Sequence, residues 1–201
     1  LGNYDEDTTR FYLASSMPEP ADSEFSMEQF VQTANTALAG TIGNLASRVL
    51  KFTAKNYGGA VPTLHAAHVA ELDALLLSGC GPIEDPAEHV QQFRFRRAAE
   101  AIVKNASVAN VFVDRMAPWA LRKVDPEMAE SALATLCQWR AWVARWMTPI
   151  MPTKAQTLWT MLGQDTRVDA QRWPGVPAAG SWRDLEPGTA LGEVEALFPR
   201  V

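Results

Sequence analysis

The stretch GNLASRVLKF, residues 43–52, places two polar side chains one helical turn apart in a long segment of apolar periodicity. Gly43 and Asn44 are both poorer helix formers than alanine, so their presence at the centre of a helix needs a reason. Asn44 and Arg48 lie on one face, flanking the apolar stripe at about 100° of rotation per residue. An amide and a guanidinium at this spacing can bind the Watson–Crick edge of an unstacked base. The same flank could equally be ordinary surface.

A second candidate group surrounds a tryptophan in NVFVDRMAPWALRK, residues 110–123. Trp119 directly follows Pro118, and a proline there stops or sharply bends the helix before it. The basic neighbours are Arg115, Arg122 and Lys123. A tryptophan held at such a corner can stack on a base. A packed hinge tryptophan is the alternative.

Other residues that could do chemistry have simpler structural explanations. His65 and His68 are spaced to share a metal, but no third ligand is near in sequence, so we expect a solvent-facing helix. Glu84, Asp85 and Glu88 stand where the N-terminus of a helix favours negative charge. Neither a glycine-rich phosphate loop nor a G-x-S-x-G motif occurs. These observations argue against an intact small-molecule enzyme.

The apolar periodicity predicts an all-α fold, an antiparallel helical bundle with an irregular C-terminal tail. The predicted helices are 6–16, 27–55, 64–78, 87–116, 127–147 and 153–162. Phe93 and Phe112 are expected near opposite ends of the core stripe of the helix over 87–116. Trp139, Trp142 and Trp146 recur at helical spacing, which predicts packing in the core. We divide the chain into a connector (1–26), the bundle (27–163) and the tail (164–201), which could include a short strand.

The composition is that of a globular protein with a sizeable core. Of 201 residues, 47% are hydrophobic and 20% are charged. The sequence contains no run of about 18 uncharged apolar residues, the length that a membrane-spanning helix needs. Two cysteines far apart, Cys80 and Cys137, favour free thiols in a reducing compartment. The net charge of −5 argues against a general nucleic-acid binder. Residues 88–123 are nevertheless basic, which permits local RNA binding.

Five segments, in order, carry a resemblance to a known family. They are DTTRFYLASSMPEPADSEFSMEQFVQTAN, GNLASRVLKF, N-x-F-V-D-x-x-A-P-W-x-L-x-K, PIMPTKAQTLWTMLG and LFPRV. Together they resemble the anticodon-binding domain of methionyl-tRNA synthetases, which are class I aminoacyl-tRNA synthetases. The chain departs from the family at Phe112, where the family more often has tyrosine, and in the loop SGCGPIEDP.

The resemblance implies roles for the residues found above. Asn44 and Arg48 would contact the first base of the CAU anticodon, Trp119 would stack on or near it, and Pro118 would fix the corner. Gly43 would let another helix or the RNA backbone come close. The candidates for contacts with the RNA backbone are Lys51, Lys55, Arg115, Arg122 and Lys123.

The family's catalytic motifs do not occur in the sequence. They are an H-I-G-H-like motif, a zinc-bearing knuckle and a K-M-S-K-S-like loop. The resemblance therefore implies a fragment of a larger cytoplasmic synthetase, whose catalytic part would hold ATP and zinc while this chain holds no cofactor. Its expected partners are the anticodon loop of methionine tRNA and the catalytic domain of the same synthetase. The alternatives are a free-standing paralogue, a helical protein-interaction module with tryptophans lining a groove, and an intact small-molecule enzyme that uses the histidines or the carboxylate cluster.

Overall fold

The computed structural model describes residues 4–18 and 24–201, and it is a bundle of helices. The first half contains α1 (Glu6–Ser15), α2 (Met27–Thr33), a π-helical segment (Ala34–Gly43), α3 (Asn44–Asn56) and, after a 3₁₀ turn (Ala66–His68), α4 (Val69–Ala74) with a second π-helical segment (Leu75–Gly79). The second half contains α5 (Pro86–Gln91), α6 (Phe95–Met116), α7 (Pro118–Leu121), α8 (Pro126–Met147), α9 (Pro152–Met161) and a 3₁₀ turn (Val168–Ala170). The described part of the chain includes no helix that could cross a bilayer. The predicted all-α class is confirmed.

The long helix predicted over 27–55 is present, with a change of winding in its middle. Residues from Met27 to Asn56 are helical throughout, and the hydroxyl of Ser26 caps the start by accepting from the amide of Gln29. Gly43 and Asn44 stand where π-helical winding returns to α. A π-bulge often marks a functional position, because it changes which side chains share a face.

Gly43 is close to another part of the backbone, as expected, and that neighbour is the C-terminal segment instead of a helix. A Cβ atom on Gly43 would lie 3.4 Å from the backbone nitrogen of Phe198, near the end of the chain. The C-terminal segment continues along the same helix. The amide side chain of Asn35 pairs with the backbone of Val201, and the hydroxyl of Ser47 donates to the carbonyl of Glu195. The tail therefore covers the side of the helix that carries Gly43.

The prediction of one continuous helix over 87–116 is wrong in its first part, because the helix is interrupted at Phe93. α5 ends in a Schellman motif, in which the amide of Arg94 bonds the carbonyl of His89 and that of Phe93 bonds Val90. Phe93 occupies the left-handed position of this motif, with φ of 57°, where glycine is usual. Its side chain is 80% exposed instead of lying in the core, because the left-handed turn interrupts the helical stripe. Phe112 is fully buried, as predicted.

The central helix of the bundle is α8, which other elements cover on almost every side. Trp139 and Trp146 are completely buried and Trp142 nearly so, which confirms the prediction of core packing. The indole N–H of Trp139 donates to the carbonyl of Asn105 on α6. Those of Trp142 and Trp146 donate to carbonyls of the tail, at Trp182 and Pro174 respectively. These tryptophans therefore join α8 to α6 and to the tail, and they cannot line an open groove for a partner.

The tail is irregular, as predicted, but it is firmly attached. The short strand considered for it reduces to one isolated antiparallel bridge between Ala60 and Ala190. Trp182 is fully buried, and its indole N–H donates to Asp73 at 2.9 Å. Asp73 also accepts hydrogen bonds from Arg183 and from the amide of Gly180. A buried carboxylate on α4 thus helps to hold the tail against the core.

Candidate nucleic-acid interface

α3 presents its polar candidates to solvent because its other face is in the core. Leu45, Val49 and Leu50 are completely buried, so the opposite face of α3 is turned to solvent. Asn44 and Arg48 are both exposed, one turn apart. The flanking position that the periodicity predicts for these two residues is confirmed.

A tight turn before α7 positions the tryptophan. α6 ends at Met116, and Ala117 adopts the left-handed conformation with φ of 38° and ψ of 58°. A non-glycine residue there costs about 1–2 kcal/mol, so packing must hold the turn in place. Pro118 is buried and begins the short helix α7, where its fixed φ suits the first helical position. The predicted helix stop at Pro118 is confirmed, and Trp119 emerges from it half-buried.

The fold brings α3 and α7 together at the two candidate groups. The guanidinium carbon of Arg48 lies 4.8 Å from the centre of the Trp119 ring, within the range of a cation–π contact. Phe52 meets the same indole edge to face, with ring centres 6.1 Å apart. Asn44 lies one turn before Arg48 on α3. An amide, a guanidinium and an aromatic ring therefore share one exposed corner of the bundle.

The five basic candidates lie in different surroundings. Lys51 and Lys55 are exposed on α3, and Lys123 is exposed after α7. Arg115 lies against the turn at Gly79, where a Cβ atom would be 3.4 Å from its guanidinium nitrogen. The Nη1 atom of Arg122 donates to the side-chain oxygen of Asn56 at 2.9 Å. Arg122 is therefore engaged within the protein, whereas the three lysines extend into solvent.

Sequence reasoning missed three residues that shape this corner. Phe52 lies on the apolar side of α3, and it also contacts Trp119. Asn56 and Tyr57 lie at the end of α3, and both contact Arg122. The spacing of Phe52 from Arg48, one helical turn, was the one signal in the sequence that could have linked it to the site.

The remaining candidates have structural roles. His65 and His68 do not lie on a solvent-facing helix, because they precede α4 and pack on α8. The Nε2 atom of His65 is 3.1 Å from a carboxylate oxygen of Glu130, and the Nδ1 atom of His68 is 2.9 Å from the hydroxyl of Ser131. No three potential metal ligands cluster within residues 4–18 and 24–201.

The carboxylate cluster serves the start of α5, as expected. Asp85 is the N-cap and accepts from the amide of Ala87 at 2.8 Å. Glu84 pairs with Lys104 and with His89. The hydrogen bond from Lys104 holds the pKa of Glu84 below its usual value, in spite of partial burial. A catalytic acid needs a raised pKa, so these contacts favour a structural role.

Comparison with known proteins identifies the family of the chain. A family model described as the anticodon binding domain of methionyl tRNA ligase matches residues 62–201, and one for class I tRNA synthetases (M) matches residues 1–50. The methionine–tRNA ligase of Chlorobaculum tepidum is 34% identical across the whole chain, which covers 29% of that protein. That of Pyrobaculum arsenaticum is 30% identical over 97% of the chain and 33% of its own length.

Solved structures give the same result. The apo methionyl-tRNA synthetase of Mycobacterium tuberculosis superposes with a TM-score of 0.75 and 30% identity, covering 97% of this chain and 38% of that one. The same enzyme with methionyl-adenylate gives a TM-score of 0.76 and 32% identity, over 96% of this chain and 37% of that one. The chain thus spans only about a third of these relatives.

The helical bundle is the fold of a tRNA synthetase's anticodon-binding domain. The chain belongs to the methionyl-tRNA ligase family, in which it corresponds to the anticodon-binding domain and the segment leading into it.

Proposed function

We propose that this chain binds the anticodon loop of methionine tRNA and reads the first base of CAU. The observation that carries the proposal is the contact of Arg48 with Trp119 at 4.8 Å. These two residues are far apart in sequence, and neither is completely buried. Their meeting at an exposed corner beside Asn44 combines an edge-reading pair with a stacking platform.

The chemistry of the pair suits cytosine. Cytosine offers an amino donor and two acceptors along its Watson–Crick edge. The amide oxygen of Asn44 would accept from the amino group, and Arg48 would donate to the acceptors. Uracil reverses part of this pattern, because it has an acceptor and an N–H where cytosine has a donor and an acceptor. The pair would therefore favour cytosine over uracil at this position.

Stacking would compete with the contact between Arg48 and Trp119. The guanidinium lies over the indole ring, where a base would also have to lie if it used that ring face. Moving Arg48 from the ring to the edge of the base would give up about 0.5–1 kcal/mol, the value of an exposed cation–π contact. A stacked base contributes about 1–3 kcal/mol, so the exchange is favourable.

Few phosphates would be neutralised in this complex. We propose contacts with the RNA backbone for Lys51, Lys55, Arg115 and Lys123, of which the lysines are exposed beside the corner. The chain has a net charge of −5, so binding should depend only weakly on salt for a protein that binds RNA.

The wider setting rests on the relatives. We propose that the complete protein is a cytoplasmic ATP-dependent methionine–tRNA ligase, and that this domain works with the catalytic domain of the same protein. The chain's match to only about a third of its relatives supports this division of labour. ATP and zinc would belong to that catalytic domain and not to this chain.

Titration of stem-loops by fluorescence anisotropy tests the proposal. One stem-loop carries CAU, and the other carries UAU in the same stem. Asn44→Ala and Arg48→Ala should each remove about 1–3 kcal/mol of the preference for CAU, the value of a good base-edge contact. Lys51→Ala is the matched control, and it should weaken both complexes equally. Unchanged ratios in the first two variants would show that these residues do not read the base.

A further inference from the structure

We propose that Arg122 is a positioning residue that fastens α7, and with it Trp119, to the end of α3. The proposal rests on the function proposed above for Trp119. It gives Arg122 a different task from the backbone contact that the family resemblance implies. The two tasks predict different results in the same measurements.

The contacts of Arg122 are directed at the last turn of α3. Its Nη1 atom donates to the Oδ1 atom of Asn56 at 2.9 Å, and its guanidinium carbon lies 5.7 Å from the centre of the Tyr57 ring. Asn56 is held in the right orientation for this bond. Its Nδ2 atom donates to the carbonyl of Phe52 at 2.8 Å, which turns the oxygen of the amide towards Arg122.

Contacts at both ends of α7 attach it to α3. At the start of α7, Trp119 packs against Arg48 and Phe52, and at the other end Arg122 bonds to Asn56. Phe52 and Asn56 are themselves joined by a hydrogen bond within α3. Contacts at one end alone would let the short helix pivot about that end, whereas contacts at both ends also fix its rotation and hence the direction of the indole ring.

α7 needs such an attachment because it cannot hold its own position. It has only four residues, far fewer than an isolated helix needs for stability. It also follows Ala117, whose left-handed backbone stores strain in the turn. α7 packs on α8 and the buried Pro118 anchors its start, and Arg122 supplies the contact that joins its end to α3.

The experiment compares three variants with the wild-type chain, using the CAU and UAU stem-loops. Arg122→Ala and Asn56→Ala should each reduce the preference for CAU about two- to tenfold, as expected for one hydrogen bond. The double variant should lose no more than Arg122→Ala alone, because that variant already removes the hydrogen bond to Asn56. Lys123→Ala, next to Arg122, is the control and should weaken both complexes alike. Asn56 carries no charge and its Nδ2 atom already donates to the carbonyl of Phe52, so loss of an ionic contact with a phosphate cannot explain its effect.

A second measurement needs no RNA. Fluorine NMR of the chain labelled with fluorotryptophan gives one resonance for each indole, and Trp119→Phe identifies the signal of Trp119. That signal should shift or broaden in Arg122→Ala and in Asn56→Ala, and stay in place in Lys123→Ala. An unchanged Trp119 signal in both of the first two variants would overturn the proposal, whatever the RNA measurements show.

The outcomes separate this inference from the proposed function. If Arg122→Ala weakened both complexes equally and lowered the salt dependence by about one counterion, while Asn56→Ala had no effect, Arg122 would be a phosphate contact only. Base reading by Asn44 and Arg48 would then still stand. If the wild-type chain had no preference for CAU, the proposed function would fail, and the NMR result would still decide whether Arg122 positions Trp119.

Discussion

The guanidinium carbon of Arg48 lies 4.8 Å from the centre of the Trp119 ring, so the middle of α3 touches the first turn of α7. The contact joins the residue that we propose reads the edge of the base to the one that we propose stacks on it. Phe52 supports the same ring from the side. A change in one partner should therefore alter the contribution of the other.

We expect Arg48→Ala and Trp119→Ala to be non-additive in stem-loop binding. Residues in direct contact have coupling energies of about 0.5–3 kcal/mol, and this pair should fall in the lower half of that range because it is exposed. The measurement is the affinity for the CAU stem-loop of the two single variants, the double variant and the wild type. Asn44→Ala combined with Lys123→Ala is a control pair that should add. Additivity within about 0.5 kcal/mol for Arg48 and Trp119 would contradict the coupling.

Trp119→Ala should weaken RNA binding more than it destabilises the fold. The ring is only half-buried, so its loss leaves a smaller cavity than the loss of a core tryptophan. We expect about 1–3 kcal/mol in affinity for the stem-loop, and partial rescue by Trp119→Phe, which keeps a ring face. Trp139→Ala, in the core, is the comparison and should cost about 3–5 kcal/mol in the free energy of unfolding.

Thermal melts beside the titrations decide between the two roles of Trp119. A strongly lowered melting temperature for Trp119→Ala, together with unaltered affinity in the folded fraction, would mean that the ring acts as a core residue. That result would remove stacking from the proposed mechanism but leave base reading by Asn44 untouched.

The attachment of the tail through Asp73 should make the domain sensitive to acid. Burial alone would raise the pKa of this carboxyl, but hydrogen bonds from Arg183, Trp182 and Gly180 outweigh burial and lower it. Because the pKa of Asp73 is lower in the folded state than its ordinary value of 3.8, the ionised carboxylate stabilises the fold above pH 3.8. This stabilisation is lost as the pH falls through the lowered pKa of the folded state. Below that pH the stabilising contribution of Asp73 should therefore disappear.

Asp73→Asn tests this directly by urea unfolding at several pH values. Because it disrupts a buried ion pair, it should cost about 3–5 kcal/mol near neutral pH, and the difference from wild type should shrink below pH 3.8. Asp169→Asn is the matched control, since Asp169 pairs with Arg167 at the surface and should matter little. A difference that did not change with pH would show that packing, and not charge, accounts for the loss.

Both cysteines should resist thiol reagents in the folded protein. Cys80 and Cys137 are free and buried. Burial raises the pKa of Cys137 to about 12, so almost no thiolate is present near neutral pH. Titration with a disulfide reagent should detect both thiols in denaturant and only slow reaction without it. Rapid reaction of either thiol in the native state would point to local opening of the bundle.

The isolated chain should not activate methionine. Its sequence has none of the nucleotide-binding motifs that the family carries, so there is nothing to form an adenylate. The measurement is methionine-dependent exchange of pyrophosphate into ATP, with an intact methionyl-tRNA synthetase as the positive control. Exchange that persists through purification and follows the chain on a sizing column would contradict the proposed division of labour.

Much of the candidate site could be predicted because it depends on local sequence. Asn44 and Arg48 share a face because of the period of the helix, and Pro118 ends α6 because its ring and missing N–H cannot continue it. The apolar face of α3 and the tryptophans of α8 lie in the core for the same local reason. In each case neighbours within a few residues determine the result, so the sequence alone was sufficient.

The tertiary structure decided which surfaces meet. The contacts of Arg48 with Trp119 and of Asn56 with Arg122 depend on how α7 packs on α3, and no periodicity within either segment contains that relationship. Gly43 likewise required a close neighbour, but only the path of the tail made that neighbour Phe198. Such contacts join residues far apart in the chain. Their geometry follows from the packing of the whole bundle, in which side-chain shape and burial outweigh local preference.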